Sequence, residues 1–482
     1  TKITKRSGIA GSLIETRMNG FVTSVTDPDG LTSATDYDSL LRVSIREDSR
    51  GNRTQIAYIP GTELTYTVTN QAGNQTLNTY DNMGRVVATF DPKGYATRTA
   101  YTLRGEKYRQ WGSAAMPVEY GYDSYGQRVT MATYRGGSAW DGAVWPASPG
   151  TADTTTWTFH EPTGLLTAKT DALGRSATQT YNFRGQTATR VLARGATTTY
   201  GYDAATGELL TQTYSDSTPA VTFTYGRTGK VESVTDVTGT RDFIYDPIKP
   251  WRLIAEAHDA TSGSFYGGRV YTRLYDEQGQ IGRVRGFQLG TAAVPTAELE
   301  QVYGYTANGR FETLTTRRDG DGTGRTFRYG YLPNSTLLQS LSIDQGAGPG
   351  GHPFTITRTY EDDRDILTSI EAKWSTTSRT KYAYVSDERG MRTSVVQSGD
   401  VFADFGGVAN GATFRRFTYN GRGEVTADAG YLGSNVADDS KPLHGRRHEF
   451  EYDHAGNRQW SNRTGVPALR NDYTTNALNQ YV

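Results

Sequence analysis

No cysteine occurs anywhere in the 482 residues, so disulfide staples and thiolate zinc sites are excluded from the outset. That absence suits the cytosol and equally a bacterial exported protein built without disulfides. Net charge is absent too: 51 lysines and arginines balance 51 aspartates and glutamates. The balance gives no reason to expect nucleic acid or an anionic membrane as partner. No apolar run approaches the roughly 20 residues of a membrane-spanning helix. No long stretch keeps a 3.6-residue apolar period, and glycine interrupts nearly every window, so helices are not expected. AELEQVY, from Ala297, reads equally as a helical turn or a strand. Neither GxSxG nor HExxH occurs.

What is present is tyrosine and glycine. Only 35% of residues are hydrophobic, yet the chain has 32 tyrosines against 16 phenylalanines, and 55 glycines. Many tight turns and thin, partly wet β-layers suit that composition better than a thick aliphatic core. The tyrosines are periodic. NTYDNMGR at Tyr80, TAYTLRGE at Tyr101, YGYDSYGQR at Tyr122, QTYNFRGQ at Tyr181, YGYDAATGEL at Tyr202 and FEYDHAGNR at Tyr452 are variants of one phrase. In its cleanest stretches the period is about 20 to 23 residues, lengthening where loops are inserted. Each unit divides into two strands: Arg85–Phe90 leads up to Asp91-Pro-Lys-Gly94, whose residues match type I turn chemistry, and Tyr95–Tyr101 leads back. TDALGRSATQTY (Thr170–Tyr181) and TDPDGLTSATDY (Thr26–Tyr37) repeat that hairpin. One hairpin cannot bury a face alone, whereas hairpins added edgewise can. Gly136–Thr155 and Asp344–Pro353 read as surface loops, because the repeat resumes on both sides. The expectation is an all-β fold with one continuous array over residues 1–482, each repeat tyrosine packed on the next. The chain starts mid-pattern without methionine and stops just inside a new unit, which reads as a fragment or processed piece of a longer chain.

The recurring Tyr-x-Tyr-Asp-x-x-Gly-Arg unit, alternating with Thr-Asp-Pro-x-Gly-x-Thr, resembles the YD repeat of Rhs proteins. The same repeat occurs in the C component of insecticidal toxin complexes, in wall-associated Rhs-type toxins and in teneurins. The resemblance runs from about Gly20 to Val482. Tyr200–Leu209, Tyr80–Val86 and Glu451–Arg458 are close copies, while Thr102, His160, Gly226 and Glu361 replace the aspartate elsewhere. It implies a β-sheet spiralling into a hollow shell, the cocoon. In bacterial relatives such a shell holds a toxic C-terminal domain, and in teneurins it serves adhesion outside the cell. The family's self-cleaving aspartyl-protease region follows the repeats around a DPxGL signature. Asp27-Pro28-Asp29-Gly30-Leu31 has those letters but sits near the N-terminal edge in an ordinary hairpin turn, so it reads as structure.

Candidate chemistry is sparse. His444, His448 and His454 are half of the six histidines. On a helix His444 and His448 could share a zinc ion. HEFEYD reads as a strand, however, where positions four apart stand about 13 Å from each other. Asp319-Gly-Asp321-Gly-Thr-Gly324 resembles the start of a calcium loop but has Gly330 where an EF-hand needs glutamate. Asp404-Phe-Gly406 lacks every other kinase part, and Gly226–Lys230 lacks the Walker spacing. Glu361–Asp365 reads as a solvated turn. Sequons at Asn52, Asn74, Asn334 and Asn462 do not establish glycosylation. The reading is therefore a non-enzymatic shell segment with no catalytic, cofactor or metal residues. Its expected partners are the rest of its own chain and an enclosed cargo such as a toxin domain, in a secreted or cell-surface bacterial setting. The alternative is a surface scaffold for adhesion to a glycan or protein.

Overall fold

The computed structural model describes residues 2–4, 13–27, 30–259, 267–275, 284–291, 298–318, 324–333, 335–344, 354–402, 411–464, 469–476 and 480–481. Among these it contains 38 strands, a single 3-10 turn at Asp400–Phe402 and no α-helix. The expected hairpin is found one residue inside its predicted limits, with strands Val86–Phe90 and Ala96–Tyr101 paired antiparallel. The ambiguous segment near Ala297 resolves as strand Leu299–Tyr305. Gly136–Thr155, expected to be a loop throughout, already turns into strand Ala152–Phe159 before its end.

Two compact units emerge. The first comprises Thr1–Ile56, Asn70–Ala72 and Thr197–Thr355; the second comprises Ala57–Thr69, Gly73–Ala196 and Ile356–Val482. Both are built from the same hairpin, and its residues explain the repeated phrase. The aspartate closes the turn. In Asp81–Arg85 the Asp81 amide donates to the Arg85 carbonyl at 3.0 Å, and the Gly84 amide donates to the Asp81 carbonyl at 3.0 Å. The Asp81 carboxylate then accepts from the amides of Met83 (2.9 Å) and Arg85 (3.0 Å). Gly84 has φ +75°, the left-handed residue that follows a type I turn in a three-residue hairpin loop. Thr102 keeps the same backbone turn with Gly105 although the aspartate is gone.

The tyrosine closes the ladder. Pairing slips by one residue just before Tyr37, Tyr80, Tyr101, Tyr122 and Tyr181. Such a bulge bends the strand and re-aims the side chain that follows. In the last four of these the re-aimed phenol donates to the carbonyl of the first residue of the preceding strand, and in Tyr37 to that of the second, Val22. Tyr80 reaches Thr65 at 2.6 Å, Tyr101 reaches Val86 at 2.8 Å, Tyr122 reaches Lys107 at 2.6 Å and Tyr181 reaches Leu166 at 2.6 Å. Where the motif is Tyr-Gly-Tyr, the glycine is required by its neighbour: a Cβ on Gly121 would lie 2.3 Å from the Thr130 hydroxyl.

The arginine links one turn to the next. Arg85 donates to the Asp81 carboxylate (2.7 Å) and to the carbonyl of Thr102 in the following turn (3.0 Å), and its guanidinium lies 4.8 Å over the Tyr101 ring. Arg310 does the same with the Ser335 carbonyl and the Tyr331 ring. The expected tyrosine-on-tyrosine stacking is thus replaced, at these units, by a guanidinium lid and a phenol-to-carbonyl clip. The physical reason is the strand spacing. A phenol that spans to the preceding strand satisfies a carbonyl beyond the last paired residue of that ladder, and its ring face is left for a cation.

Candidate functional site

The second unit contains a junction that no repeat rule dictates. Arg135 follows strand Arg128–Tyr134, and Asp153 is the second residue of Ala152–Phe159, placed opposite Thr133. Arg422 sits in the turn after Thr413–Tyr419, and His454 in the turn after Pro442–Tyr452. These four meet. Arg135 Nε lies 2.7 Å and Arg422 Nη1 3.0 Å from one oxygen of Asp153, and His454 Nδ1 lies 2.5 Å from the other. The Asp153 side chain is only 2% exposed. Arg135 also donates to the Tyr452 carbonyl and Arg422 to the His454 carbonyl (3.1 Å). Burial alone would raise the Asp153 pKa, but the hydrogen bonds from His454 and then Arg135 hold it below the ordinary carboxylate value. The turn itself touches the other strands: the Gly421 amide donates to the Arg135 carbonyl at 2.9 Å, and a Cβ there would stand 2.5 Å from the Tyr134 carbonyl. With its oxygens already bonded to two arginines and a histidine, Asp153 acts as a fastener between distant turns rather than as a free base.

Two smaller features accompany it. Glu361 accepts from Lys93 (2.8 Å) and from Arg364 Nε (2.8 Å), and Asn74 donates to the neighbouring Asp362 carbonyl (2.8 Å). The Arg364 hydrogen bond, against burial, lowers the pKa of Glu361. The segment after Tyr134 folds onto an aromatic nest, with Trp145 stacked edge-on against Trp111 (5.7 Å), Tyr134 (5.6 Å) and Trp140 (5.1 Å). Burial and a hydrogen bond to Glu119 push the Tyr134 phenol up to about 12.

The residues singled out in the sequence are scattered across the fold. His444 and His448 share the strand Pro442–Tyr452, which turns at Gly445 (φ +83°), and His454 belongs to the junction instead. Among the described residues no three of His, Asp and Glu gather as metal ligands do. Asp27 closes an ordinary turn, accepting from the Leu31 amide at 2.8 Å; Pro28 and Asp29 lie outside the described residues. So do Asp319–Thr323, Asn334 and Asp404–Gly406. Glu361–Asp365 is a turn as expected, but Glu361 itself is withdrawn from solvent by Lys93 and Arg364, with its side chain 12% exposed. Asn52 bonds to Asp48 within its turn, and Asn462 to Glu449. Neither Asp153, inside the Gly136–Thr155 segment, nor Arg135, just before it, carries a local pattern that marks the junction. The one available signal was the pair of tryptophans inside that segment, an apolar content that a solvated loop does not need.

Two solved structures share the fold. The crystal structure of TcdB2-TccC3-TEV matches with a TM-score of 0.50 at 11% identity, over 92% of this chain and 31% of that one. TcdB2-TccC3 without its hypervariable C-terminal region matches with a TM-score of 0.50 at 11% identity, over 89% of this chain and 26% of that one. The chain thus spans less than a third of either. No family model matches it, nor does any curated protein. The all-β array inferred from the tyrosine phrase is therefore a fold that occurs in these structures.

Proposed function

We propose that this chain, a YD-repeat array with the fold found in the TcdB2-TccC3 structures, is a segment of a non-enzymatic shell that encloses or shields another part of its own parent polypeptide. The observation that carries the reading is the division of labour within the repeat. In the repeat phrase, as at Tyr80, Asp81 and Arg85, the tyrosine, aspartate and arginine are spent on closing turns and joining one hairpin to the next. What remains on the strands is led by threonine, with serine, glutamine and scattered short runs of valine, alanine and leucine, and most of it is half-buried. A surface of that kind can face a chain without offering it an apolar core to fold on. The enclosed segment, a C-terminal toxin domain in the form most consistent with the resemblance, is then delivered outside the producing cell.

Limited proteolysis of the parent polypeptide tests this. Under enclosure, sequences outside the array are cut only after the array itself is breached, and the array survives as one protected species. Cleavage of the remaining segment at the rate of the same segment expressed alone overturns the reading.

A further inference from the structure

The last strands of the second unit are Val425–Leu432, Pro442–Tyr452, Arg458–Arg463 and Leu469–Asp472, each paired with the next. Their register sets Asp428, His448, Arg463 and Leu469 in one row, and Phe450, Ser461 and Asn471 in the row beside it. These rows floor a cleft of about 430 Å³, completed by Arg415, Arg458 and Tyr473.

The charges in this cleft do not balance. Its single carboxylate, Asp428, is already bonded through both oxygens to Arg415. Glu449 and Glu451 alternate with the cleft residues along Pro442–Tyr452 and so belong to the opposite face. Arg458 and Arg463 therefore line the cleft with no acidic partner among the described residues, and the Nε atom of each is buried without a hydrogen-bond acceptor. An unpaired buried donor on a charged group is costly, and the cost is removed when an anion supplies the acceptor. The other groups suit such a guest. The Ser461 and Tyr473 hydroxyls are bonded to each other at 2.9 Å, and Arg458 is steadied 4.7 Å over the Phe450 ring. The Tyr473 phenol is drawn below its ordinary pKa by its bond to Ser461 and next by Arg458.

We propose that this cleft binds an oxyanion, a carboxylate or phosphate group held between Arg458 and Arg463. The group can come from a free small anion or from an acidic side chain of an extended polypeptide. The proposal is independent of the shell reading, since it concerns one face of five described strands.

Isothermal titration of the whole chain with inorganic phosphate, with succinate and with a glutamate-rich peptide tests it. Binding of phosphate or succinate at one site per chain marks a small-anion site; binding of the peptide alone marks an acidic-chain site; both support the proposal. Arg463→Gln should weaken the bound probe by roughly tenfold, the loss of one charge-assisted pair. Asn471→Asp is isosteric and places a carboxylate on the cleft rim. It should raise the unfolding temperature and abolish binding by competing from within. No binding of any probe overturns the proposal, as does binding that persists unchanged in both variants.

Discussion

The two units repeat one hairpin and hold it by different means. In the first, strands are joined by a ladder of rings: Tyr271 on Phe287 (4.9 Å), Phe287 on Tyr303 (5.6 Å), Tyr303 on Phe311 (5.6 Å) and Phe311 on Tyr329 (4.8 Å). Ala255 is its one buried apolar side chain among the described residues. The second unit buries Trp111, Tyr134, Val395, Phe414 and Tyr431, and it is laced by polar ties between residues 269 to 319 positions apart. The ladder couples each strand only to its neighbours, as in any repeat array. Bringing distant turns together is a different task. Thin half-buried layers supply little apolar area for it, so the distant contacts are made by arginine, histidine and carboxylate, whose geometry fixes which turn meets which.

If that division is right, the largest single effect lies at the fastener. Asp153→Asn keeps the shape and removes the charge, leaving Arg135 half-buried without its counter-ion and Arg422 with only Glu424, at 3.7 Å. A loss of about 3 kcal/mol in the second unit is expected on chemical denaturation. The pH dependence follows from the lowered pKa of Asp153. A carboxylate whose folded pKa is depressed contributes its stability above its unfolded value of about 3.9, and that contribution is lost as pH falls through the folded value. The gap between wild type and Asp153→Asn should therefore be constant near neutrality and close below about pH 4. A gap that is the same at every pH would mean that packing, not charge, holds the junction.

Phe311→Ala is the matching test in the first unit. It removes a ring that touches Tyr303, Tyr305 and Tyr329, and because the ring is half-buried a loss of about 2 kcal/mol is expected, below that of a fully buried phenylalanine. No titrating partner is involved, so its effect should not change across the acid range. Equal sensitivity of both variants to acid would erase the contrast between the units.

How much of this could be read from the chain differs between the same two mechanisms. The hairpins were legible because tyrosine, aspartate and glycine act within one unit, and Asp81, Gly84 and Arg85 meet their partners inside a single turn or the next. The tyrosine's role was only half legible. Spacing showed that Tyr80 and Tyr101 recur, but the bulge that swings each phenol onto a carbonyl 15 residues back is a backbone event without its own letter. Beyond the two tryptophans beside it the junction was not legible, because Asp153 meets His454 across 301 residues and no local pattern records such a meeting. The arginine cleft was hidden for the opposite reason: alternation along each strand was visible, but the register that gathers Arg458, Arg463 and Asn471 was not.

The repeat's own devices should give smaller effects. Tyr80→Phe keeps the ring and deletes one bond to the Thr65 carbonyl, which predicts a loss of about 1 kcal/mol; no measurable change would reduce the phenol to packing. The least effect has the opposite sign. The turn Asp38–Arg42 is the turn Asp81–Arg85 with leucine in place of glycine: the Leu41 amide donates to the Asp38 carbonyl at 3.0 Å, and Leu41 is held at φ +63°. A left-handed conformation costs a side chain with a Cβ about 1 to 2 kcal/mol. Leu41 is 51% exposed, so its side chain returns little packing in exchange. Leu41→Gly relieves that strain but adds conformational freedom to the unfolded chain, worth about 0.5 to 1 kcal/mol against folding. The balance is a net stabilisation of about 0.5 kcal/mol in the first unit, read as a small rise in its denaturation midpoint. A fall instead would show that Leu41 supports the first unit through contacts that Gly84, in the same place of the second unit, does not need.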